Sequence, residues 1–238
     1  LGLDQGLLFN DFETLSLALP ALTVRDWQAI GPERPDARGP LAVIGPGTGL
    51  GVGALARRDG RWLPLSSEGG HGALAPRNGT DAALWPVLAQ AGHDVVAERL
   101  LSGPGLARLH NALGGDDASA MLDPAVITER ALAGTDALCQ RTVILWLEYL
   151  ARFSRDMALT FLASGGVFLA GGIVPRLAGL IDAPAFRAAF ETHPTHRAVL
   201  EAIPVRLITA REPALTGLAA FAAAPSDYEI DAAARVWC

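Results

Sequence analysis

The sequence predicts a mixed α/β fold. Short apolar runs of strand length alternate along the chain with segments whose apolar residues have helical spacing. Half of the 238 residues are hydrophobic, so the chain can bury a sizeable core. The 26 Gly and 16 Pro supply turns between the elements. Together these observations favour one large α/β domain or two small ones.

Strands are predicted where short apolar runs are bounded by turn residues. The runs at 52–56 and 62–65 enclose Asp59-Gly60, a favoured pair for the tip of a β-hairpin. The run at 166–170 is uncharged and apolar, which is typical of a buried strand. The predicted strands are 7–9, 41–44, 52–56, 62–65, 166–170 and 205–209.

Helices are predicted where apolar residues recur every three or four positions between capping residues and prolines. On the longest of them, Trp146, Tyr149, Phe153 and Met157 recur at this spacing, and we expect them to belong to the core. The predicted helices are 13–19, 81–90, 95–101, 106–113, 124–133, 137–162, 184–190 and 213–223.

Charge and composition exclude several classes of protein. The 19 basic residues against 25 acidic ones give a net charge of −6, and all 19 are arginine. Without lysine the chain cannot build the Walker lysine of a P-loop kinase or the amine of a pyridoxal or Schiff-base enzyme. The acidic balance also argues against a nucleic-acid partner, which would require a basic face.

Neither a disulfide framework nor a membrane anchor is indicated. Cys139 and Cys238 are the two cysteines, so we expect a reducing compartment, the cytoplasm. The first residues lack the basic and apolar regions of a signal peptide. Glycines interrupt the uncharged stretch at 157–175, which therefore reads as helix, turn and strand rather than as a membrane span.

Glycines occupy every second position from 45 to 53. A dinucleotide fingerprint needs glycines at offsets of two and then three, which these positions cannot supply. Two interpretations stay open. The alternation is typical of a strand–turn–strand whose tip presents backbone N–H groups and the Thr48 hydroxyl to an anion. It is equally typical of a hairpin that needs glycine for tight packing.

Two short polar segments have the chemistry to bind or activate a hydroxyl-rich ligand such as a sugar. In Glu68-Gly69-Gly70-His71 a carboxylate and an imidazole are separated by two glycines, and a solvated loop is the alternative. Asn10-Asp11 follows the first predicted strand, where an aspartate is well placed to accept a proton from a hydroxyl nucleophile. The alternative is that Asp11 caps the next helix.

Two further pairs of residues have spacings that could bind a ligand or a metal ion. Gly171 and Gly172 follow the strand at 166–170 and would let a flat ligand lie against bare backbone, although an ordinary strand-to-helix turn uses the same residues. His193 and His196 have a metal-like spacing, but no third ligand is near them in the sequence. We therefore predict no metal site there.

Taken in order, these segments resemble bacterial glucokinase, an ATP-dependent hexose kinase family with the actin-like ATPase (ribonuclease H-like) fold. The resemblance covers about residues 5 to 222 and rests on seven motifs, each of them weak alone. They are FNDF at 9–12, GTGLGV at 47–52, EGGH at 68–71, AERLLSGPGL at 97–106, GGVFLAGGIVPR at 165–176, FRAAFE at 186–191 and IPV at 203–205.

The resemblance implies a sugar site. Asp11 would be the general base for the 6-hydroxyl of glucose, and Asn10 would hydrogen-bond neighbouring hydroxyls. Glu68 and His71 would hold ring hydroxyls, and Glu98 would complete the site. The implied reaction converts ATP and glucose to ADP and glucose 6-phosphate, with Mg²⁺ carried by the nucleotide, and depends mainly on positioning and charge stabilisation.

The resemblance also implies a nucleotide site. This fold cradles phosphates with backbone amides and hydroxyls, so the absence of lysine is no obstacle. The implied residues are Gly47, Thr48 and Gly49 in a second phosphate-binding loop and Gly171, Gly172 and Pro175 in an adenosine motif that ends at the proline.

One departure concerns the family's first phosphate loop, a glycine-rich hairpin in an N-terminal lobe that precedes the catalytic aspartate. The sequence contains no Asp-x-Gly-Gly-Thr segment before Asp11, and it begins with leucine. We therefore expect a small-lobe remnant at 1–21, a large lobe at 22–211 and a C-terminal helix returning to the small lobe at 212–238. This chain alone is expected to show little kinase activity and to leave apolar surface uncovered.

Two alternatives use the same fold. A kinase of the repressor/open-reading-frame/kinase (ROK) group would act on another hexose or an N-acyl sugar. That group usually has a cysteine-rich zinc motif after its Glu-x-Gly-His segment, and no cysteine occurs here before Cys139. A non-catalytic sugar-sensing regulator would need a DNA-binding helix-turn-helix, which the sequence does not show. The family resemblance also implies a homodimer.

Overall fold

The computed structural model describes residues 6–34, 37–89, 94–114, 121–231 and 233–237. Eight strands form two sheets within these ranges, one of two strands and one of six. The small sheet pairs β1 (Gly6–Leu7) with β8 (Val236–Trp237). The large sheet consists of β2 (Trp27–Ala29), β3 (Leu41–Pro46), β4 (Leu50–Arg58), β5 (Arg61–Ser67), β6 (Gly166–Leu169) and β7 (Val205–Ile208).

The large sheet has the strand order β2-β7-β6-β3-β4-β5. Strands β3, β4 and β5 form an antiparallel meander, while β3, β6 and β7 run parallel to one another. The carboxyl ends of β3 and β6 therefore meet at the same edge of the sheet, where Ile44 is paired with Leu169. Ligands of open α/β sheets bind outside such carboxyl ends, so this edge is where a site is expected.

The larger helical layer covers one face of the sheet. Its central helix carries Trp146, Tyr149 and Phe153 almost completely buried, with Met157 half-buried, which confirms the predicted core positions. The helices of the described ranges are α1 (Asp11–Ala18), α2 (Gly79–Leu88), α3 (Ala97–Leu100), α4 (Gly103–Gly114), α5 (Pro124–Ala133), α6 (Ala137–Thr160), α7 (Ala183–Glu191), α8 (Arg197–Ala202) and α9 (Pro213–Ala223).

Helices α1 and α9 pack on each other against the opposite face. A side chain at Gly217 of α9 would overlap the carbonyl oxygen of Thr14, so glycine permits the close approach of the two helices. Leu17 of α1 and Phe221 of α9 belong to a small core with Leu55 of β4. Leu8, before α1, and Leu215 of α9 are 67% and 59% exposed.

A buried ionic network ties α2 to α6. The Asp81 side chain is fully buried, and its two oxygens accept hydrogen bonds from the Tyr149 hydroxyl at 2.8 Å and the Arg77 backbone N–H at 2.7 Å. The Arg152 guanidinium lies 2.8 Å from the same carboxylate. Burial, followed by the bond to Asp81, raises the pKa of Tyr149 well above its usual range. The network therefore consists of the neutral Tyr149 phenol and an ion pair in which the charges of Asp81 and Arg152 compensate each other inside the core.

Most predicted elements are present, and two helices, α5 and α9, have the predicted bounds. The hairpin between β4 and β5 also turns at the predicted pair, with positive φ angles of 50° at Asp59 and 82° at Gly60. A two-residue turn of this kind needs residues that tolerate the left-handed region, which Asp and Gly do.

Other predictions were wrong in position or were not made. The first strand is Gly6–Leu7 rather than 7–9, because its length is set by pairing with β8. Helix α1 begins at Asp11 rather than Glu13, since Asn10 caps it. Strand β2 and helix α8 were not predicted, because segments of three and six residues carry too little periodicity. Residues 1–5, the end of the helix predicted at 81–90 and Cys238 lie outside the described residues.

No helix within the described ranges combines the length and apolar character that a membrane span needs. Cys139 is a buried free thiol, and burial raises its pKa.

Candidate functional site

The loop between β3 and β4 lies at the carboxyl edge of the sheet. The Gly47 N–H donates to the Gly49 carbonyl at 2.8 Å, and the Gly103 N–H of α4 donates to the Gly47 carbonyl at the same distance. A side chain at Gly47 would meet no atom within 4 Å, and Thr48 is exposed. The tip of the hairpin is therefore fixed by backbone hydrogen bonds yet open, as an anion cradle would be.

Three other glycines of the alternating series, Gly45, Gly51 and Gly53, pack against Phe12 of α1, whereas Gly49 lies against the Glu98 side chain. A side chain at Gly51 would overlap the Phe12 ring, and one at Gly45 would come within 2.6 Å of it. Gly45 and Gly51 face each other across β3 and β4, so they form one flat patch under the ring. The packing interpretation is therefore confirmed at Gly45 and Gly51, whereas Gly47 lies at an open tip, where anion binding stays a prediction.

We expect Gly51→Ala to lower the free energy of unfolding by about 1–3 kcal/mol, because the new methyl group forces Phe12 off the sheet. Gly47→Ala is the matched control, since its methyl group would enter open space. Urea unfolding followed by circular dichroism measures both. Equal stability of the two variants would contradict the packing of Phe12 on this patch.

Asn10 and Asp11 lie at the start of α1. The Asn10 side-chain oxygen accepts the backbone N–H groups of Phe12 at 2.9 Å and Glu13 at 3.2 Å, so Asn10 is the N-cap. The alternative that Asp11 is the cap was therefore wrong: Asp11 is the first helical residue, and its carboxylate is exposed. The Asn10 amide group is left to donate, while Asp11 is held beside the glycine patch by the neighbouring Phe12 ring.

A buried ion pair fixes the same end of α1. Glu13 is 4% exposed and receives two hydrogen bonds of 2.6 Å from the Arg235 guanidinium. These bonds raise the pKa of Arg235. Since α1 also packs on β3 and β4, the position of the Asp11 carboxylate is determined by the core and does not depend on a flexible loop.

Glu68, His71 and Glu98 are brought to the beginning of β4. The 3-10 helix Gly69–His71 approaches β4 so closely that a side chain at Gly70 would overlap the Leu50 carbonyl oxygen. Glu98 Oε2 accepts the Leu50 N–H at 3.0 Å. Glu68 Oε2 and His71 Nε2 lie 3.6 Å apart, with side chains that are 89% and 58% exposed. Two carboxylates and an imidazole thus border open space.

A cleft of about 380 Å³ separates the β3–β4 tip from the residues after β6. Gly171 turns the chain with a φ of +82°, and a side chain there would overlap the Pro46 carbonyl oxygen, so Gly171 is required by the fold. Gly172 borders the cleft, and a side chain there would meet no atom within 4 Å. Pro175 is the second residue of the 3-10 helix Val174–Leu180 and is not among the residues lining the cleft.

The remaining walls of this cleft were not predicted. They come from the beginnings of α4 and α5 and from Arg176, the residue next to the predicted adenosine motif. The polar side chains of Asp123 and Thr128 form hydrogen bonds within the first turn of α5. Asp123 accepts the Ala125 N–H at 2.7 Å, and the Thr128 hydroxyl donates to the Pro124 carbonyl at 2.8 Å. The sequence offered no periodic signal that α5 would reach this edge of the sheet.

Metal ligands are not clustered in the part of the chain that the structure describes: no three His, Cys, Asp or Glu side chains are grouped for a metal ion. His193 Nδ1 accepts the Thr195 N–H at 3.2 Å, and His196 Nδ1 lies 2.8 Å from the Thr195 hydroxyl oxygen. These two imidazoles are therefore engaged in their own turn.

Comparisons with known proteins find a family model and relatives that match most of the chain. The family model described as Glucokinase matches residues 1–225. A glucokinase from Allorhizobium ampelinum is 39% identical over 239 residues, which cover 100% of this chain and 70% of that protein. A glucokinase from Chromobacterium violaceum is 46% identical over 223 residues, which cover 92% of this chain and 64% of that protein. The chain thus spans about two thirds of the length of these relatives.

A solved structure is similar as well. The crystal structure of a glucokinase from an Antarctic psychrotroph superposes with a TM-score of 0.82 at 34% identity. The match covers 89% of this chain and 66% of that chain.

Proposed function

The chain belongs to the glucokinase family, whose kinases have the actin-like ATPase fold, and on that premise we propose that the intact protein transfers the terminal phosphoryl group of ATP to the 6-hydroxyl of glucose, with sugar and nucleotide residues supplied by this chain. One observation carries the proposal. The open tip at Gly47 and Thr48 faces the bare backbone at Gly172 across a cleft. The ring of Phe12, which follows the exposed Asp11, packs on the two strands that carry this tip. This arrangement supports a nucleotide on one side and a hydroxyl acceptor on the other.

On the sugar side, the Asp11 carboxylate accepts the proton of the attacking hydroxyl as the phosphorus–oxygen bond forms. The Asn10 amide group, whose oxygen is occupied by the helix cap, donates to a neighbouring hydroxyl. Glu68, His71 and Glu98 supply acceptors and an imidazole to the other hydroxyls. Because Glu98 is also bonded to the Leu50 N–H, it positions the sugar relative to the phosphate loop.

On the nucleotide side, Thr48 and Gly49 present backbone N–H groups and the Thr48 hydroxyl to the phosphates. Gly47, whose N–H is bonded to the Gly49 carbonyl, fixes the shape of the loop and leaves its tip open. Gly172 lets the nucleoside lie against the backbone, and Arg176 provides a guanidinium at the edge of the cleft. In this proposal Gly171 and Pro175 shape the adenosine site without contacting the nucleotide. Gly171 turns the chain, and Pro175 lies in the first turn of the following 3-10 helix.

Mg²⁺ would arrive with ATP. The donor set fits a nucleotide-borne ion rather than a resident one, because Mg²⁺ is held mainly by substrate phosphates, water and one or two carboxylates. The exposed carboxylate of Asp11 and the hydroxyl of Thr48 are oxygen donors of the required kind on this chain. When bound, the ion neutralises phosphate charge during transfer.

The predicted division into segments 1–21, 22–211 and 212–238 is kept as part of this proposal. Packing of α1 on α9 supports it, because the first and last segments contact each other. The buried thiol of Cys139 fits a reducing compartment such as the cytoplasm. The homodimer stays a prediction from the family.

Gly172→Leu is expected to raise the KM for ATP by about tenfold or more and to leave stability nearly unchanged, since the new side chain fills the cleft without touching the fold. A coupled assay of glucose 6-phosphate formation by the intact protein measures the change.

The matched control for this variant is Gly79→Leu, because Gly79 also faces open space but begins α2 outside the cleft. An intact protein that forms no glucose 6-phosphate from ATP and glucose would refute the proposed function. An unchanged KM for ATP in Gly172→Leu would refute the assignment of this cleft to the nucleotide.

A further inference from the structure

A cleft of about 460 Å³ lies at the amino ends of β3 and β6, the edge of the large sheet opposite to the proposed active site. Its lining includes Leu41, the first residue of β3, and Arg57, near the end of β4. Arg57 follows Leu50 by seven residues along β4, so strand geometry places it about 23 Å from the N–H group that binds Glu98. A cleft of this size can hold a small molecule.

Hydrogen bonds fix the wall of the cleft that precedes β3. The Ser164 hydroxyl donates to the Arg38 carbonyl at 2.7 Å, and the Gly165 N–H donates to the Pro40 carbonyl at 3.0 Å. Gly39, between these two carbonyls, has a φ of +120°, and a side chain there would overlap the Ser164 hydroxyl oxygen. The backbone that carries Arg38 is therefore held against the turn before β6, and the cleft is formed without a ligand.

Two arginines, Arg38 and Arg57, line the cleft, and the described residues that line it include no Asp or Glu. The Arg57 guanidinium lies over the Trp62 indole, with Cζ 4.3 Å from the ring centroid. Stacking of this kind orients a guanidinium and leaves its N–H edges free to bind an oxyanion. Within the described ranges neither Arg38 nor Arg57 forms an ion pair, whereas Arg58, the next residue of β4, is paired with Glu229. The cleft is therefore a basic site on a protein with a net charge of −6.

The remaining walls are mainly apolar and include Pro40, Leu41 and the half-buried Trp62. We propose that this cleft binds an organic carboxylate with a flat apolar body. The guanidinium fork of Arg57 matches the two oxygens of a carboxylate, and Arg38 adds a second positive charge. The flat body packs against Trp62 and Leu41, since aromatic rings favour stacked contacts. This inference does not depend on the proposed function, because none of these residues belongs to the sugar or nucleotide site.

Calorimetric titrations of the intact protein with 2-naphthoate, 2-naphthamide and acetate test the two parts of the ligand separately. We expect 2-naphthoate to bind about tenfold more tightly than the other two, because the amide lacks the charge and acetate lacks the flat body. Arg57→Gln should weaken 2-naphthoate by about fivefold and leave 2-naphthamide unchanged. Arg61→Gln is the matched control: Arg61 is exposed on the neighbouring strand β5 but does not line the cleft, so its loss should change either affinity by less than about twofold.

Equal affinities for 2-naphthoate and 2-naphthamide would overturn the carboxylate assignment, and acetate binding as tight as that of 2-naphthoate would overturn the flat body. Equal effects of Arg57→Gln and Arg61→Gln would mean that the probe senses only the general charge of this surface, which would overturn the site. Thermal unfolding verifies that both variants are folded. Gly172→Leu, which fills the cleft assigned to the nucleotide, should leave 2-naphthoate binding unchanged; a loss in that variant would place the probe there and overturn the inference without touching the proposed function.

Discussion

Replacement of Asp11 by alanine is expected to reduce kcat by a factor of about 10² to 10⁴, the usual contribution of a positioned general base, while glucose binding is largely kept. The reason is that three consecutive residues at the start of α1 have different roles. Asn10 caps the helix and Phe12 anchors it on the sheet. Asp11 Oδ1 also accepts the Phe12 N–H at 2.9 Å, and the other oxygen of this exposed carboxylate is left for chemistry. The coupled assay gives kcat, and calorimetry with glucose gives the binding constant.

Asp59→Asn is the matched control for this variant. Asp59 is also an exposed aspartate, but it lies in the turn between β4 and β5, at the end of β4 away from the phosphate loop, and asparagine tolerates its positive φ. Its turnover should equal that of the unaltered protein. If Asp11→Ala keeps normal kcat, the general-base assignment is wrong; if glucose binding is lost in step with turnover, Asp11 serves binding more than proton transfer.

The site residues at the carboxyl ends of β3 and β6 could be predicted from the sequence better than the helical residues around them. Gly47, Thr48 and Gly172 border one cleft because the carboxyl ends of β3 and β6 are neighbours, and strand and turn signals alone locate those ends. The series of glycines was harder to interpret, since period-two alternation gives the same pattern for a packing patch and for an open loop. Only the position of the Phe12 ring in the structure shows that Gly51 serves packing while Gly47 faces open space.

What the sequence could not provide is the set of long-range partners. Arg108 lies outside the seven motifs and Arg176 is the last residue of one of them, and no role was predicted for either, yet both border clefts next to Thr48. Glu98 was expected as a sugar ligand, but its bond to the Leu50 N–H, which links the sugar site to the phosphate loop, depends on the packing of α3 against β4. Such contacts follow from tertiary structure and leave no local periodicity.

The buried network around Asp81 is another feature that no local pattern revealed, and it carries the largest expected effect on stability. Asp81→Asn keeps the shape of the side chain but removes the buried charge that compensates Arg152, whose side chain is only 9% exposed. Glu148, which is 42% exposed and 3.9 Å from Arg152, is the carboxylate that remains beside it. Breaking a buried ion pair by removing one partner is strongly destabilising, so we expect the free energy of unfolding to fall by about 3–5 kcal/mol.

Two companion variants test the electrostatic cause of that loss. Tyr149→Phe removes one hydrogen bond to the same carboxylate and should cost only about 1 kcal/mol, because both charges remain. Asp182→Asn, at the N-cap of α7, should be nearly neutral, since asparagine caps as well as aspartate does. Urea unfolding ranks the three. A loss in Asp81→Asn no larger than in Tyr149→Phe would mean that the ion pair with Arg152 adds nothing beyond an ordinary hydrogen bond, and that packing of α2 on α6 depends on the apolar core alone.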